Sequence, residues 1–331
     1  MTPANQLAEG PLLAGARVAW EENRCASPGG CGFEAATRYR IRAAGPGGVK
    51  TLSDGRIRSL PGGSNSFFSS VSFELSAKRF VLVRSEFGTL SEQDFAEERT
   101  FAGARDGSGL TRLVRCRAEQ QTVENPVALA GTRVAFDPDP CDGQPVVEIR
   151  SPGSSSTLAF SPATGTLADV ALAGNYLATV HGGVVELHDT RNGAPLFSAP
   201  LPPGVLHGID VASDGRLAVT VGTERIGRRS CWASRLWVLD AGGAALDLQR
   251  PQPCWDARLS RDGVVFLRGG RRPARLELLS PGGSRRVIVD FGPVRVREDF
   301  DAQAMRAAFA ARCGGRVRIR VVSLGAPARA C

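Results

Sequence analysis

The sequence predicts an all-β fold, a single seven-bladed β-propeller of four-stranded antiparallel blades. Three observations predict it. A phrase of about nine residues recurs from one end to the other, clearest as Ala128 to Phe136 (ALAGTRVAF). Each copy is an apolar run, a small or Gly-bearing turn and a second apolar run, which reads as two antiparallel strands joined tightly. Most copies stand about 40 to 50 residues apart, with the first two spacings longer. A second recurrent stretch, an alternating strand running into a Gly-bearing turn, follows each phrase. A four-stranded unit cannot bury both faces alone, so units at this period stack around an axis.

Taken in order, the expected blades cover about 10–60, 67–122, 123–163, 166–203, 205–252, 254–292 and 294–331. Blade one opens with LLAGARVAW from Leu12 to Trp20 and continues with YRIRAAGPGG from Tyr39 to Gly48. Blade two opens with the looser ELSAKRFVL from Glu74 to Leu82, and Ser91 to Thr100 (SEQDFAEERT) reads as a helical or loop-like insertion between its middle strands. Blade three shows all four strands: 127–129, 133–137, 146–150 and 157–160. Blade four has ALAGNYLAT (171–179) and VVELHDTRNGA (184–194), and blade five has VASDGRLAV (211–219) and RLWVLDAGGAA (235–245). Blade six has LSRDGVVFL (259–267) and RLELLSPGGSR (275–285). Blade seven has FDAQAMRAAF (300–309) and RIRVVSLGAP (318–327). Asp301 to Arg312 has high helix propensity, but the repeat register demands strand there. The fourth strand of blade seven is left to Ala326–Cys331, with Asn5–Glu9 as an alternative edge strand that latches the ring, because an open edge invites pairing with other chains.

Bulk properties agree with one globular unit. Of 331 residues 42% are hydrophobic, enough for a sizeable core, and 39 Gly and 21 Pro are spread through the repeats as turns. No apolar run approaches the roughly 20 residues that span a bilayer. The net charge of +8 invites a nucleic-acid reading, but the cations are almost all Arg, with Lys only at Lys50 and Lys78. Many alternate with apolar residues, as from Arg316 to Val321 (RVRIRV), which is the solvent face of a half-buried strand. A specific nucleic-acid partner is therefore not expected, and a monomer is.

SDGRLAV (213–219) and SRDGVVFL (260–267) resemble the S-x-D-G core of WD40-like repeats in the TolB-type propeller superfamily. RLWVLDAGG (235–243) is similar to the strand-Asp-turn element of WD40 and quinoprotein-type propellers. The resemblance implies the fold and a bias toward partner binding; the family's repeat residues are structural, so it carries over no catalytic position.

The eight cysteines are Cys25, Cys31, Cys116, Cys141, Cys231, Cys254, Cys313 and Cys331. An even count without CxxC favours disulfides over zinc and an extracytoplasmic or secreted protein, although 1–10 (MTPANQLAEG) has no signal-peptide pattern; reduced thiols and a cytoplasmic location are the alternative. The loops between second and third strands share a rim with the interblade segments. By repeat register this rim pairs Cys25 with Cys31, Cys116 with Cys141, Cys231 with Cys254 and Cys313 with Cys331. The rim of blades five and six collects Arg225, Arg228, Arg229, Arg268, Arg271 and Arg272, with Trp232 and Trp255 beside the expected Cys231–Cys254 bridge. Glu21, Glu22, Asp137, Asp139 and Asp142 fall on the rim of blades one and three. Guanidinium forks suit carboxylates and phosphates, so an anionic partner would dock on the Arg side.

Other chemistry finds less support. His181 and His207 read as rim residues and His188 as lying at the opposite end, so no metal site and no cofactor are expected. There is no G-x-S-x-G elbow, no H-E-x-x-H and no phosphate-binding Gly-Lys loop. Carboxylates such as Asp210 and Asp256 would act as acid and base if they line the central channel. The expected role is a non-catalytic binding or scaffold propeller contacting a protein or anionic polymer through rim loops. The alternative is a propeller enzyme, of hydrolase or lyase type, acting on a small or carbohydrate ligand at the channel mouth.

Overall fold

Short apolar runs separated by glycine turns leave the backbone one economical solution, antiparallel ladders that satisfy every N–H and C=O within the sheet. The computed structural model describes residues 6–25, 36–57, 59–60, 66–90, 93–118, 126–141, 146–151, 158–160, 167–222, 235–246, 253–268, 275–292, 296–314 and 316–331. Among these residues there is no helix, and the strands form seven sheets.

Sheet one holds β1 (Gln6–Ala14), β2 (Arg17–Cys25), β3 (Ala36–Gly45) and β4 (Gly48–Arg56). Sheet two holds β5 (Ser59–Leu60), β6 (Ser66–Leu75), β7 (Arg79–Leu90), β8 (Gln93–Ala104) and β9 (Thr111–Ala118). Sheet three is β10 (Ala128–Ala130), β11 (Arg133–Phe136), β12 (Val147–Arg150) and β13 (Leu158–Phe160). Sheet four is β14 (Leu167–Ala173), β15 (Tyr176–His181), β16 (Val184–Asp189) and β17 (Pro195–Pro200). Sheet five is β18 (Val205–Val211), β19 (Leu217–Gly222), β20 (Arg235–Leu239) and β21 (Ala245–Leu246). Sheet six is β22 (Pro253–Ser260), β23 (Gly263–Arg268), β24 (Arg275–Leu279) and β25 (Arg285–Asp290). Sheet seven is β26 (Val296–Gln303), β27 (Arg306–Cys313) and β28 (Arg316–Ser323). A last strand, β29 (Ala328–Arg329), returns to sheet six and runs parallel to β25. The seven sheets are the blades of a β-propeller.

The chain forms two compact units, residues 1–166 with 314–318 and residues 167–313 with 319–331. In the first, β6 neighbours both β1 and β10. Its core joins Ile41, Leu52, Phe73, Phe80 and Leu82, and a second cluster joins Val81, Val83, Val134 and Phe136. In the second unit β14, β18, β22 and β26 are neighbours in that order, so the first strand of each sheet lies beside the first strand of the next. Sheet four sets Val180 and Leu187 against Ile209 and Leu217 of sheet five. The reverse face of sheet five sets Leu236 and Val238 against Leu259 and Phe266 of sheet six. Val265, Leu276 and Leu278, on the other face of sheet six, meet Phe300, Ala307 and Phe309 of sheet seven. Sheets five and six are thus covered on both sides. That is why β19 (LAVTVG) is buried at every position and shows no period-two alternation.

The turns between first and second strands touch from blade to blade. Ser76 donates its hydroxyl to the Gly131 carbonyl at 2.6 Å, Arg216 reaches the Ser260 carbonyl at 3.1 Å, and the Arg261 amide reaches the Ala304 carbonyl at 3.3 Å. Gly263 allows one of these turns to close: its φ is +149°, and a Cβ there would lie 2.0 Å from the Leu279 carbonyl oxygen. No side chain fits at that distance.

Several expectations need correction. Residues 93–100 of the stretch expected as an insertion belong to β8, which pairs with β7 along its whole length. Asp301 to Arg312, by contrast, is strand as expected, in the β26–β27 hairpin. Neither proposed filler completes sheet seven: residues 328–329 join sheet six, and residues 6–9 extend β1 against β2. Among the described residues sheets two and six have five strands, through β5 and β29, and sheet seven has three, where four were expected.

Candidate functional site

An antiparallel four-strand unit puts the start of its first strand, the end of its second and the start of its third at one end. In sheet five these are Val205, Gly222 and Arg235, with Val205 paired to Gly222. In sheet six they are Pro253, Arg268 and Arg275, with Arg268 paired to both of the others. Sheets five and six are packed together. Arg235 and Arg268 are exposed and Arg275 is half-buried. Arg268 pairs with Glu277 at 3.4 Å and Arg275 with Asp290 at 3.2 Å.

Of the rim residues read from sequence, Arg268 is the last residue of β23. Arg225, Arg228, Arg229, Cys231, Trp232, Arg271 and Arg272 lie outside the described residues, as do Cys31 and Asp142. The backbones of Cys25, Cys254, Trp255 and Asp256 belong to β2 and β22, with side chains outside the description. Cys116 and Cys141 are joined with Cα atoms 5.7 Å apart, and Cys313 and Cys331 with Cα atoms 5.6 Å apart, the span of a disulfide. The first ties β9 to the segment following β11; the second ties the end of β27 to the residues following β29.

The acidic side of the rim is built differently from its expectation. Glu21 and Glu22 are in the body of β2. Glu22 is buried, accepting hydrogen bonds from Trp20 Nε1 at 3.0 Å and Arg42 Nη1 at 3.2 Å. Asp137 is buried too and accepts the Asp139 amide at 2.9 Å, closing a local turn. These carboxylates serve the fold.

A second cluster lies on the first strands. Ala171, Asp210, Arg258 and Asp301 occupy the same position in β14, β18, β22 and β26, opposite Ala178, Ala218, Val265 and Ala308. Arg258 therefore stands between two carboxylates, and its Nε lies 3.7 Å from Asp301 Oδ1. Asp210 accepts the amide of Leu259, on the next blade, at 2.6 Å, much as Asp169 accepts the Ile209 amide at 3.0 Å. Burial pushes the Asp210 carboxyl up to about 6, and Asp301 adds to this; Arg258 and the Leu259 amide oppose it without cancelling it. Sequence reasoning named Asp210 but missed Arg258 and the bridging role of Asp169. Aligning the phrases residue by residue would have put Asp210, Arg258 and Asp301 in one column.

His181 and His188 stand toward opposite ends of the β15–β16 pair, as expected. They share one face of sheet four and approach the same Glu186 carboxylate oxygen, His181 Nε2 at 3.3 Å and His188 Nε2 at 3.2 Å. Burial lowers the His188 pKa more than Glu186 raises it, which keeps its imidazole neutral at pH 7. His207, on β18, is half-buried. Among the described residues no group of three or more His, Cys, Asp or Glu is placed to hold a metal ion, and no helix is long and apolar enough to cross a membrane.

No family model matches the chain, and no curated protein matches its sequence. Solved propellers do match its fold. An acylaminoacyl peptidase in complex with a chloromethyl ketone is 10% identical, with a TM-score of 0.56 over 96% of this chain and 51% of that one. A puromycin-hydrolyzing peptidase of Mycobacterium tuberculosis is 14% identical, with a TM-score of 0.53 over 96% and 53%. The β-propeller domain of Myceliophteria thermophila Cps50 (Swd1) is 11% identical, with a TM-score of 0.49 over 96% and 97%. The fold resembles the propeller domains of these two peptidases. At these identities the likeness is one of fold alone, and the chain spans about half the length of the two peptidases.

Proposed function

We propose that the chain is a binding or scaffold propeller that engages an anionic partner, a protein or a surface polymer, through the rim of blades five and six. One observation carries this reading: the strand ends Gly222 and Arg235 and the strand ends Arg268 and Arg275 sit at the same end of two packed sheets. They bracket segments that carry Arg225, Arg228 and Arg229 in one case and Arg271 and Arg272 in the other. A rim presenting this many guanidinium groups suits carboxylates, sulfates and phosphates. The paired cysteines fit an oxidising compartment, so export belongs to the same reading. Charge reversal at Arg228, Arg229, Arg271 and Arg272 is expected to weaken retention on a sulfated matrix more than reversal of Arg38, Arg40, Arg112 and Arg117, which lie exposed on other strands. Equal losses would reject the rim.

A second reading rests on Asp210. A carboxyl held at about 6 beside Arg258 and Asp301 has the pKa of a general acid or base working near neutrality, which suits an enzyme acting on a small ligand at the channel mouth. A screen of chromogenic esters and glycosides tests it. Turnover that Asp210→Asn removes, while rim reversals leave it intact, would favour the enzyme over the binder.

A further inference from the structure

The chain after Leu324 lies along sheet six under thin non-covalent restraint. Leu324 itself is well placed: its amide donates to the Met305 carbonyl at 2.8 Å, its carbonyl accepts from Arg286, and its side chain is fully buried. Beyond it Gly325, Ala326, Pro327, Arg329 and Cys331 are exposed. This strap is held to β25 by the pairs Val289–Ala328 and Asp290–Arg329, by the buried Ala330, and by a long hydrogen bond from Arg286 to the Gly325 carbonyl at 3.4 Å. Ordering the backbone of each residue costs conformational entropy, and restraints this few do not offset it over residues 325–331. The Cys313–Cys331 bond supplies the rest. The Cys116–Cys141 bond has no such task. Cys116 lies buried in an eight-residue strand that its ladder holds in sheet two.

We propose that Cys331 is a thiol-exchange site and that its bond to Cys313 is a redox latch, which a dithiol reductant opens to free the strap while the blades stay folded. Access decides which sulfur a thiolate attacks. Cys331 is exposed, whereas Cys313, at the end of β27, keeps 5% of its surface open. The thiolate bonds to the Cys331 sulfur, the S–S bond breaks, and Cys313 leaves as a thiolate. The second thiol of the reductant then attacks its own sulfur in the mixed disulfide and releases Cys331. Two electrons pass to the cystine and the dithiol becomes a cyclic disulfide. The proton of the first thiol ends on Cys313 and that of the second on Cys331. Release bares the edge of β25 at Val289 and Asp290 and takes Ala330 out of the core that it shares with Val289 and Phe291. The latch is independent of the rim of blades five and six.

Dithiothreitol added to the folded, unreduced chain tests the proposal, read by alkylation with peptide mapping and by hydrogen exchange. Cys313 and Cys331 should become alkylated about tenfold or more faster than Cys116 and Cys141. Amides of residues 325–331 should then lose their protection while those of β22 and β23 keep theirs. Glutathione, a monothiol, should be trapped on Cys331 and not on Cys313. Oxidised glutathione, after the dithiol is removed, should restore the protection. Cys331→Ser should open the strap without any thiol and make it indifferent to dithiothreitol. Equal rates at the two bridges, glutathione on Cys313, or a strap still protected once its bridge is gone would each overturn the proposal. So would loss of protection in β22 and β23 together with the strap, which would make reduction a global unfolding event.

Discussion

A carboxylate on the first strand of a blade can accept an amide N–H that no neighbouring strand reaches, and Asp169 and Asp210 do this in turn for Ile209 and Leu259. Asp169→Ala should cost about 1 kcal/mol in chemical denaturation, the usual loss when a partly buried hydrogen bond is broken. Asp210 behaves differently because folding raises its pKa from the ordinary 3.8 to about 6. The folded protein therefore binds this proton more tightly than the unfolded chain does. The resulting stabilisation is present below about pH 4 and is lost as pH rises through 6. Asp210→Asn should flatten that slope, and above pH 6 it should leave the protein about 1–2 kcal/mol less penalised, allowing for partial contact of the carboxylate with solvent. Measurements of stability from pH 4 to 8 check this; an unchanged slope would show that the charge is well solvated. The turn aspartates were legible in the sequence. Asp240 in RLWVLDAGG accepts the Gly242 and Ala244 amides at 2.9 Å each, the work a strand-Asp-turn pattern implies. Arg258 was not, because a single arginine beside Leu259 looks like any solvated strand residue until its register against Asp301 is known.

Among the elements, the hairpin turns were the most readable and the pairing partners the least. Gly263 closes its turn against the Leu279 carbonyl, so Gly263→Ala should destabilise by about 2–4 kcal/mol, as a shift in the urea midpoint with unchanged slope. β8 was misread because its polar stretch, SEQDFAEERT, has good helix formers. It is a strand because Glu97 is held between Arg99 at 2.8 Å and Arg115 at 2.7 Å on the sheet. The Arg99 hydrogen bond in particular keeps the Glu97 carboxyl down at about 2. Cross-strand pairing outweighs local propensity there. The β26–β27 hairpin shows the same contest: its alanines favour helix, but Ala307 and Phe309 fill the core against sheet six. The strap that carries β29 was expected as a strand within Ala326–Cys331, but its partner was not legible, since two paired residues make no pattern. Cys331→Ser should free it. Residues 324–331 should then become cleavable by protease and the β25 amides should exchange faster, with a loss of at most about 2–4 kcal/mol overall.

At the scale of the molecule, seven repeats of one phrase made the blade count readable, because each first strand must find the next before its sheet has a covered face. What the repeats could not disclose was where the pattern breaks, at sheets two, six and seven. Peptide mapping of the unreduced protein should recover Cys116 linked to Cys141 and Cys313 linked to Cys331; thiols titrating at these four positions would contradict the structure. Because β29 lies after sheet seven in the chain yet belongs to sheet six, the order of synthesis is not the order of completion. A nascent polypeptide leaving the ribosome must carry the flank of β25 bare while the whole of the following blade is translated. It must then double back past that blade to close it, so any stall in elongation beyond Asp290 would leave an adhesive margin open to other nascent chains.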